Sequence, residues 1–234
     1  MEKILPDLYT IEVPLPGNPL KAINSYVIKA GERSLIIDTG MNREECINAI
    51  SSGLEELDVN LAKADFFISH LHADHSGLVS TLAKETSSIY FGEADAYVAT
   101  LTGPGLGYWA AMPNIAIMYG FPEDEIMRAL RSHPGFKYSS RGRLEVRVVK
   151  DNDTIAIGDY LFKCIETPGH TRGHICLYEP DRRIFVSGDH ILIDITPNIS
   201  LWSPDETENP LRDYLASLDK VHDLDVKLVL PGHR

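Results

Sequence analysis

The amino-acid sequence predicts an α+β fold in which two sheets carry helices on their outer faces. Three observations predict it. Short runs rich in β-branched and aromatic residues, bounded by Gly, Pro and Asn, fill both ends of the chain. Stretches with apolar residues at helical spacing fill its middle. Along the chain the order is strands, helices, strands, helix, strand, a mixed order that suits two sheets covered by helices.

Taken in order, LYTIEVPL, INSYVIKA and SLIIDTG read as the first strands. Residues 43–57 read as a helix, with Ile47, Ile50, Leu54 and Leu57 on one face. ADFFISH is a short apolar strand, SGLVSTLAKE a helix, and SSIYFG a further strand. Residues 93–131 read as helical but interrupted, by TGPGLGYW and again by GFPED. Strands return in LEVRVVK, DTIAIG, YLFKCIE, HICLYEP and RIFVSGD, then PLRDYLASLDKVH reads as a helix and VKLVLPGH as a closing strand. A single domain over residues 1–234 is expected, with a helical insertion at about 93–143 between two strand-rich halves.

The composition removes several classes. With 22 basic against 34 acidic residues the net charge is −12, so a nucleic-acid partner is not expected. Cys46, Cys164 and Cys176 are scattered, odd in number and contain no C-x-x-C pair, which argues against both a disulfide framework and a thiolate zinc site. No apolar run approaches the roughly 20 residues needed to span a bilayer, and the N-terminus does not read as a signal peptide. The expected compartment is the cytoplasm and the expected partner a small-molecule substrate; neither membrane nor nucleic acid is expected, and a homodimer is left open.

Chemistry concentrates in the histidines. Three of the nine fall in one six-residue run, His70-Leu71-His72-Ala73-Asp74-His75. His70 and His72 leave an extended segment on the same side, and Asp74 and His75 follow at the turn into a helix. A surface histidine cluster is the bland alternative. Three further positions weigh against it, because each places a donor at a strand's carboxyl end directly after glycine: His170 in TPGH, Asp189 in VSGD and His233 in LPGH. The seven divide into His70, His72 and His170 for one cation and Asp74, His75 and His233 for a second, with Asp189 bridging. Imidazole and carboxylate without thiolate suit zinc, iron or manganese; two divalent ions, with zinc first, are the expected cofactors.

On these residues the chain resembles the metallo-β-lactamase superfamily. HLHADH matches its H-x-H-x-D-H run; PGH at 168–170, SGD at 187–189 and PGH at 231–233 match its later motifs in order; IIDTG at 36–40 matches its early strand-turn motif. The resemblance runs from about residue 7 to the C-terminus and is weakest over 93–143. It implies a four-layer αββα sandwich of two pseudo-duplicate halves, the metal site at one edge between the sheets, and Asp38 in a supporting role. An aspartate at 189 disfavours the penicillin-hydrolysing members, which carry Cys or Ser there, and a histidine at 72 disfavours the flavodiiron oxidoreductases, which carry Glu. The set resembles that of the glyoxalase II (hydroxyacylglutathione hydrolase) branch, of lactonases, of phosphodiesterases and of RNase Z-type enzymes, with the net charge of −12 counting against the nucleases.

The function expected is therefore hydrolysis of an ester, thioester or lactone by a metal-bound hydroxide, with Asp74 both a ligand and the group that holds the nucleophile. The alternatives are a mononuclear iron oxidoreductase of the persulfide-dioxygenase kind, a phosphodiesterase, and a metal-binding protein without catalysis.

Around the seven, several residues carry weaker expectations. His174, where relatives of this type often have a small residue, reads equally as a residue orienting a ligand or as an ordinary buried histidine. His190 reads as structural, Thr171 as capping a turn, and His133 and His222 as surface residues. Tyr108, Trp109, Met112, Tyr119 and Trp202 are candidates for a pocket wall, with ordinary core packing the commoner role for such residues. Superfamily members continue past the last histidine with a loop and a helix, so a C-terminal portion beyond Arg234 is expected, and His233 is expected to be loosely held.

Overall fold

Burial along the chain sorts the residues into three apolar clusters, and the clusters define four layers. The computed structural model describes residues 1–100, 113–114, 116–142, 144–201 and 209–234. Its first sheet has seven strands in chain order: β1 (Glu2–Leu5), β2 (Leu8–Pro14), β3 (Ala22–Ala30), β4 (Arg33–Ile37), β5 (Ala64–Ile68), β6 (Ile89–Gly92) and β7 (Arg147–Val149). Pairing is antiparallel from β1 to β4 and parallel from β4 to β7. The second sheet has five strands, β8 (Thr154–Ile157), β9 (Tyr160–Glu166), β10 (Ile175–Glu179), β11 (Ile184–Gly188) and β12 (Leu228–Pro231), ordered β12-β11-β10-β9-β8. Only its β11–β12 pair is parallel.

Between the sheets Leu8, Ile28, Leu35, Ile37 and Phe67 meet Phe162, Leu177, Val186 and Leu230. On the outer face of the first sheet Ile11, Val13, Phe66 and Ile68 pack against the helix α1 (Glu44–Glu56) through Cys46, Ile50 and Leu54. Outside the second sheet Ile165, Cys176 and Phe185 meet Val221 of the C-terminal helix Pro210–His222. The result is the predicted αββα order. The helix face of α1 is close to the one read from periodicity, with Ile50, Leu54 and Leu57 buried and Ile47 partly so.

Two local readings differ from the structure. The strand β1 was not expected; it pairs back on β2 across the two-residue Pro6-Asp7 connection, with Leu5 opposite Leu8. Four residues are too few to show a period, so only the pairing identifies the strand. The single helix expected over 76–85 is instead two one-turn pieces, α2 (Ala73–Ser76) and α3 (Val79–Leu82). Tertiary partners take the backbone groups that a continuous helix would use. Ser140 Oγ donates to the carbonyls of Ser76 (2.6 Å) and Gly77 (3.1 Å), and the Leu78 N–H donates to Thr39 Oγ1 at 3.2 Å.

The insertion contains α4 (Glu93–Thr100), α5 (Glu123–Ser132) and α6 (Pro134–Lys137) before the C-terminal helix, here α7 (Pro210–His222). No helix among the described residues is long and apolar enough to cross a membrane.

The two halves touch backbone to backbone where β6 meets the 170–174 loop. A Cβ added at Gly92 would lie 2.0 Å from the Gly173 carbonyl oxygen and 2.8 Å from Ile175 Cγ1. Neither neighbour is the free end of a flexible side chain. Gly92→Ala is therefore expected to destabilise the protein by about 3 kcal/mol, seen as a fall of roughly 6–12 °C in Tm by circular dichroism. An unchanged Tm would show that the loop yields freely.

Candidate metal centre

Turns at strand ends place the candidate ligands. β5 ends at Ile68 and the chain bends through Ser69, His70 and Leu71 into α2, whose first residues carry Asp74 and His75. His170 follows β9, Asp189 follows β11 and His233 follows β12. Gly188 has φ of +50°, a left-handed conformation that suits glycine, and a Cβ there would lie 2.7 Å from His174 Nε2 and 2.9 Å from Ser69 Cβ. All seven predicted residues converge on one edge between the sheets.

They form two clusters about Asp189. His70 Nε2, His72 Nδ1 and His170 Nε2 lie 3.0, 3.0 and 3.2 Å apart. His75 Nε2 and His233 Nε2 lie 3.3 Å apart, with Asp74 Oδ2 3.5 Å from His233 Nε2. Asp189 Oδ1 faces His75 Nε2 at 3.4 Å, while Oδ2 stands 3.5 Å from His170 Nε2 and 3.6 Å from His233 Nε2. One carboxylate thus looks into both clusters.

The remote ring nitrogens show what the converging ones must be. Ser69 Oγ donates to Asp38 Oδ2 (2.8 Å), so it accepts from His70 Nδ1 at 3.0 Å. His75 Nδ1 donates to Asp38 Oδ2 (2.8 Å), His170 Nδ1 to the Asn198 carbonyl (2.6 Å) and His233 Nδ1 to the Ala22 carbonyl (2.7 Å). In their neutral forms these four rings therefore aim Nε2 lone pairs inward. Lone pairs about 3 Å apart repel, and a shared cation relieves that repulsion. Nitrogens at the roughly 2.0–2.1 Å of a tetrahedral zinc site would themselves lie about 3.3 Å apart. Asp189 Oδ1 is buried with no hydrogen-bond donor among the described residues. The donor set fits divalent cations in both clusters.

Protonation separates the two clusters. Burial holds His70 well below the ordinary imidazole value and His72 at about 3, so both rings are neutral near pH 7. Burial also opposes charge on His75 and His233. There it is outweighed, by Asp189 and Asp38 for His75 and by Asp74 and Asp189 for His233, and both are raised. Burial disfavours charge on Asp74 too, but the neighbouring His233 and His75 bring it to about 2. In the metal-free protein, then, His75 and His233 keep a proton to higher pH than a free imidazole. Their stabilising contribution is complete below the unfolded value of about 6.5 and is lost as pH rises through their raised values. A cation must displace those protons. Occupancy of the Asp74/His75/His233 cluster is expected to fall as pH drops, earlier than occupancy of the three-histidine cluster, with proton release measurable by calorimetry in two buffers. Pairwise loss at one common pH would contradict this.

The supporting groups are buried. Asp38, at φ +57°, accepts from the Ser69 N–H and Ser69 Oγ (both 2.8 Å) as well as from His75. His174 Nε2 accepts the Asp189 N–H at 3.2 Å, so its Nδ1 donates to Thr167 Oγ1 at 2.8 Å. His174 thus holds the backbone of the residue shared by the two clusters. His190 lies behind Asp189, its ring edge-on to Tyr214 at 5.3 Å, and burial lowers it to about 4. His233 is not loose: it is 1% exposed, Asn24 donates to the Gly232 carbonyl at 2.8 Å, and Gly232 donates to the Gly188 carbonyl at 2.8 Å.

Thr171 does not cap a turn. Its hydroxyl donates to Asp95 Oδ2 at 2.7 Å. Asp95 itself carried no signal in the sequence, since one aspartate in the first turn of a helix is ordinary helix chemistry. Tyr119 is 70% exposed, which excludes the core-packing role. Tyr108, Trp109, Met112 and Trp202 lie outside the described residues. His133 and His222 are exposed, as expected of surface residues.

A family model described as "Metallo-beta-lactamase superfamily" matches residues 18–233. A probable metallo-hydrolase of Bacillus subtilis, YqjP, is 26% identical over 97% of this chain and 71% of its own length. The acyl-coenzyme A thioesterase MBLAC2 of Homo sapiens is 26% identical over 90% of this chain and 72% of its own. The crystal structure of a metallo-β-lactamase family protein from Thermus thermophilus superposes with a TM-score of 0.79 at 25% identity, covering 99% of this chain and 75% of that one.

Proposed function

This chain belongs to the metallo-β-lactamase superfamily, and on that premise we propose that it hydrolyses an acyl thioester, with two divalent cations, zinc first, held about Asp189. It is a metal-dependent hydrolase. The observation that carries the two-cation reading is the single carboxylate facing both nitrogen clusters, at 3.4 Å on one oxygen and 3.5 and 3.6 Å on the other. The thioester is favoured because relatives matched over 90% of this chain are named acyl-coenzyme A thioesterases. A glutathione thioester, the substrate type of the glyoxalase II branch, shares that bond.

His70, His72 and His170 would hold one cation, Asp74, His75 and His233 the other, and Asp189 both. Cations bound there supply Lewis acidity toward a carbonyl oxygen and lower the pKa of water toward neutrality. The chain's own groups set the geometry. Asp38, Ser69, Asn198 and Ala22 lock the ring orientations through the remote nitrogens. Asp74, which stays ionised, accepts a hydrogen bond from the attacking water and orients it. A thiolate leaving group has a pKa near about 8.5, so it departs near neutral pH without a strong proton donor beside it. An alkoxide lacks that advantage.

Elemental analysis combined with a turnover panel of acyl thioesters, lactones and phosphodiesters tests the reading. Two metals per chain and thiol release faster than lactone or phosphodiester cleavage are expected. One iron per chain with oxygen uptake on a persulfide would replace the hydrolase reading with an oxidoreductase. A preference for phosphodiesters would overturn the thioester.

A further inference from the structure

Two buried carboxylates brace the histidine clusters in different ways, and Asp38 reaches His70 only through Ser69 Oγ. Asp38 braces the Asp74/His75/His233 cluster directly through His75. The three-histidine cluster comes from two loops far apart in the sequence, 70–72 and 170–174. One side chain joins the two loops. Asp95 is fully buried in the first turn of α4. Its Oδ2 accepts the Leu71 N–H at 2.9 Å and the Thr171 hydroxyl at 2.7 Å, and its Oδ1 accepts the Gly173 N–H at 2.8 Å. Leu71 lies between His70 and His72, and Thr171 directly follows His170. The fit is close on the backbone side too: a Cβ at Gly173 would fall 2.3 Å from the Asp95 nitrogen.

We infer that Asp95 is the positioning residue of the three-histidine cation site, setting the spacing of His70 and His72 against His170 without touching the cation. The inference rests on the two-cation reading above. Three donors, two of them backbone N–H groups, converge on two oxygens of one carboxylate. An amide at that place must aim its NH2 at one or more of these donors, and an alanine leaves all three without an acceptor. Loosening either loop moves ring nitrogens now 3.0–3.2 Å apart, while the Asp74/His75/His233 cluster keeps its own brace. The expected signature is therefore selective loss of one cation.

The test uses cobalt(II) as the probe, read by stoichiometry under a graded chelator and by its visible d–d absorption. His72→Ala supplies the reference spectrum of a protein impaired in the three-histidine site only. Asp95→Asn is expected to weaken one of two cobalt ions by about 10- to 100-fold, to leave the other within about two-fold, and to reproduce the His72→Ala spectrum. Asp38→Asn, which touches His75 directly and His70 only through Ser69, is expected to weaken the Asp74/His75/His233 ion more than the other. If Asp95→Asn does not fold, Thr171→Val removes one of the three donors and is expected to show the same selectivity at smaller size. Equal weakening of both ions, or of neither, in the folded variant overturns the inference. A wild-type protein that binds only one cobalt overturns the two-cation reading instead. The role of Asp95 then stands if its variant weakens that one ion and falls if it does not.

Discussion

Asp189→Asn is expected to lower thioester turnover by about a hundred- to a thousand-fold, and to weaken both cations rather than one. The amide keeps the size of the side chain but brings no charge, and its nitrogen cannot donate a lone pair to a cation. The carboxylate stands 3.4–3.6 Å from nitrogens of both clusters, so its loss reaches both cations. Losing several kcal/mol of charge stabilisation corresponds to a loss of that size. A second, independent change should accompany it. Asp189 is one of the groups that raise His75, so in the metal-free variant His75 should release its proton at lower pH, visible in its imidazole NMR titration. Wild-type metal content and turnover in Asp189→Asn would remove the shared-carboxylate reading altogether.

Asp38→Ala is expected to cost about 3 kcal/mol in the metal-free protein, a fall in Tm of roughly 6–12 °C, and to weaken the second cation by about 10- to 100-fold. The carboxylate accepts from the Ser69 N–H, the Ser69 hydroxyl and His75, all buried. Alanine leaves these donors without partners. It must also adopt the left-handed φ of +57°, which aspartate and asparagine tolerate better than alanine. Asp38→Asn separates the two effects: the backbone cost disappears and one donor is opposed by the amide, so the stability loss should shrink to about 1–2 kcal/mol while the second cation stays weakened. Thermal unfolding with and without chelator measures both. Equal losses for Ala and Asn would mean that backbone conformation contributes nothing here.

Much of this architecture could be read from local pattern. The strands of the second sheet and the helix 210–222 stand close to where β-branched runs and 3.6-residue spacing put them. Periodicity failed at β1, too short to show a period, and at 76–85, where Thr39 and Ser140 take backbone groups and break the helix. Tyr119, an aromatic residue of the insertion whose role periodicity could not assign, is exposed.

The candidate ligands were legible for a chemical reason. Imidazole and carboxylate side chains are uncommon in so short a run as 70–75, and glycine before His170, Asp189 and His233 marks strand ends where the backbone turns. Residue type and spacing along the chain carry that information. Which groups hold the ligands in place is information of another kind. Asp95 reaches Leu71 across 24 residues and Thr171 across 76, and His233 finds the Ala22 carbonyl across 211. None of these contacts has a period or a spacing, because each exists only after two sheets have paired and brought distant turns to one edge. Donor chemistry is a property of single residues and their immediate neighbours. Donor orientation is a property of buried hydrogen bonds between segments, and those are decided only when the fold closes.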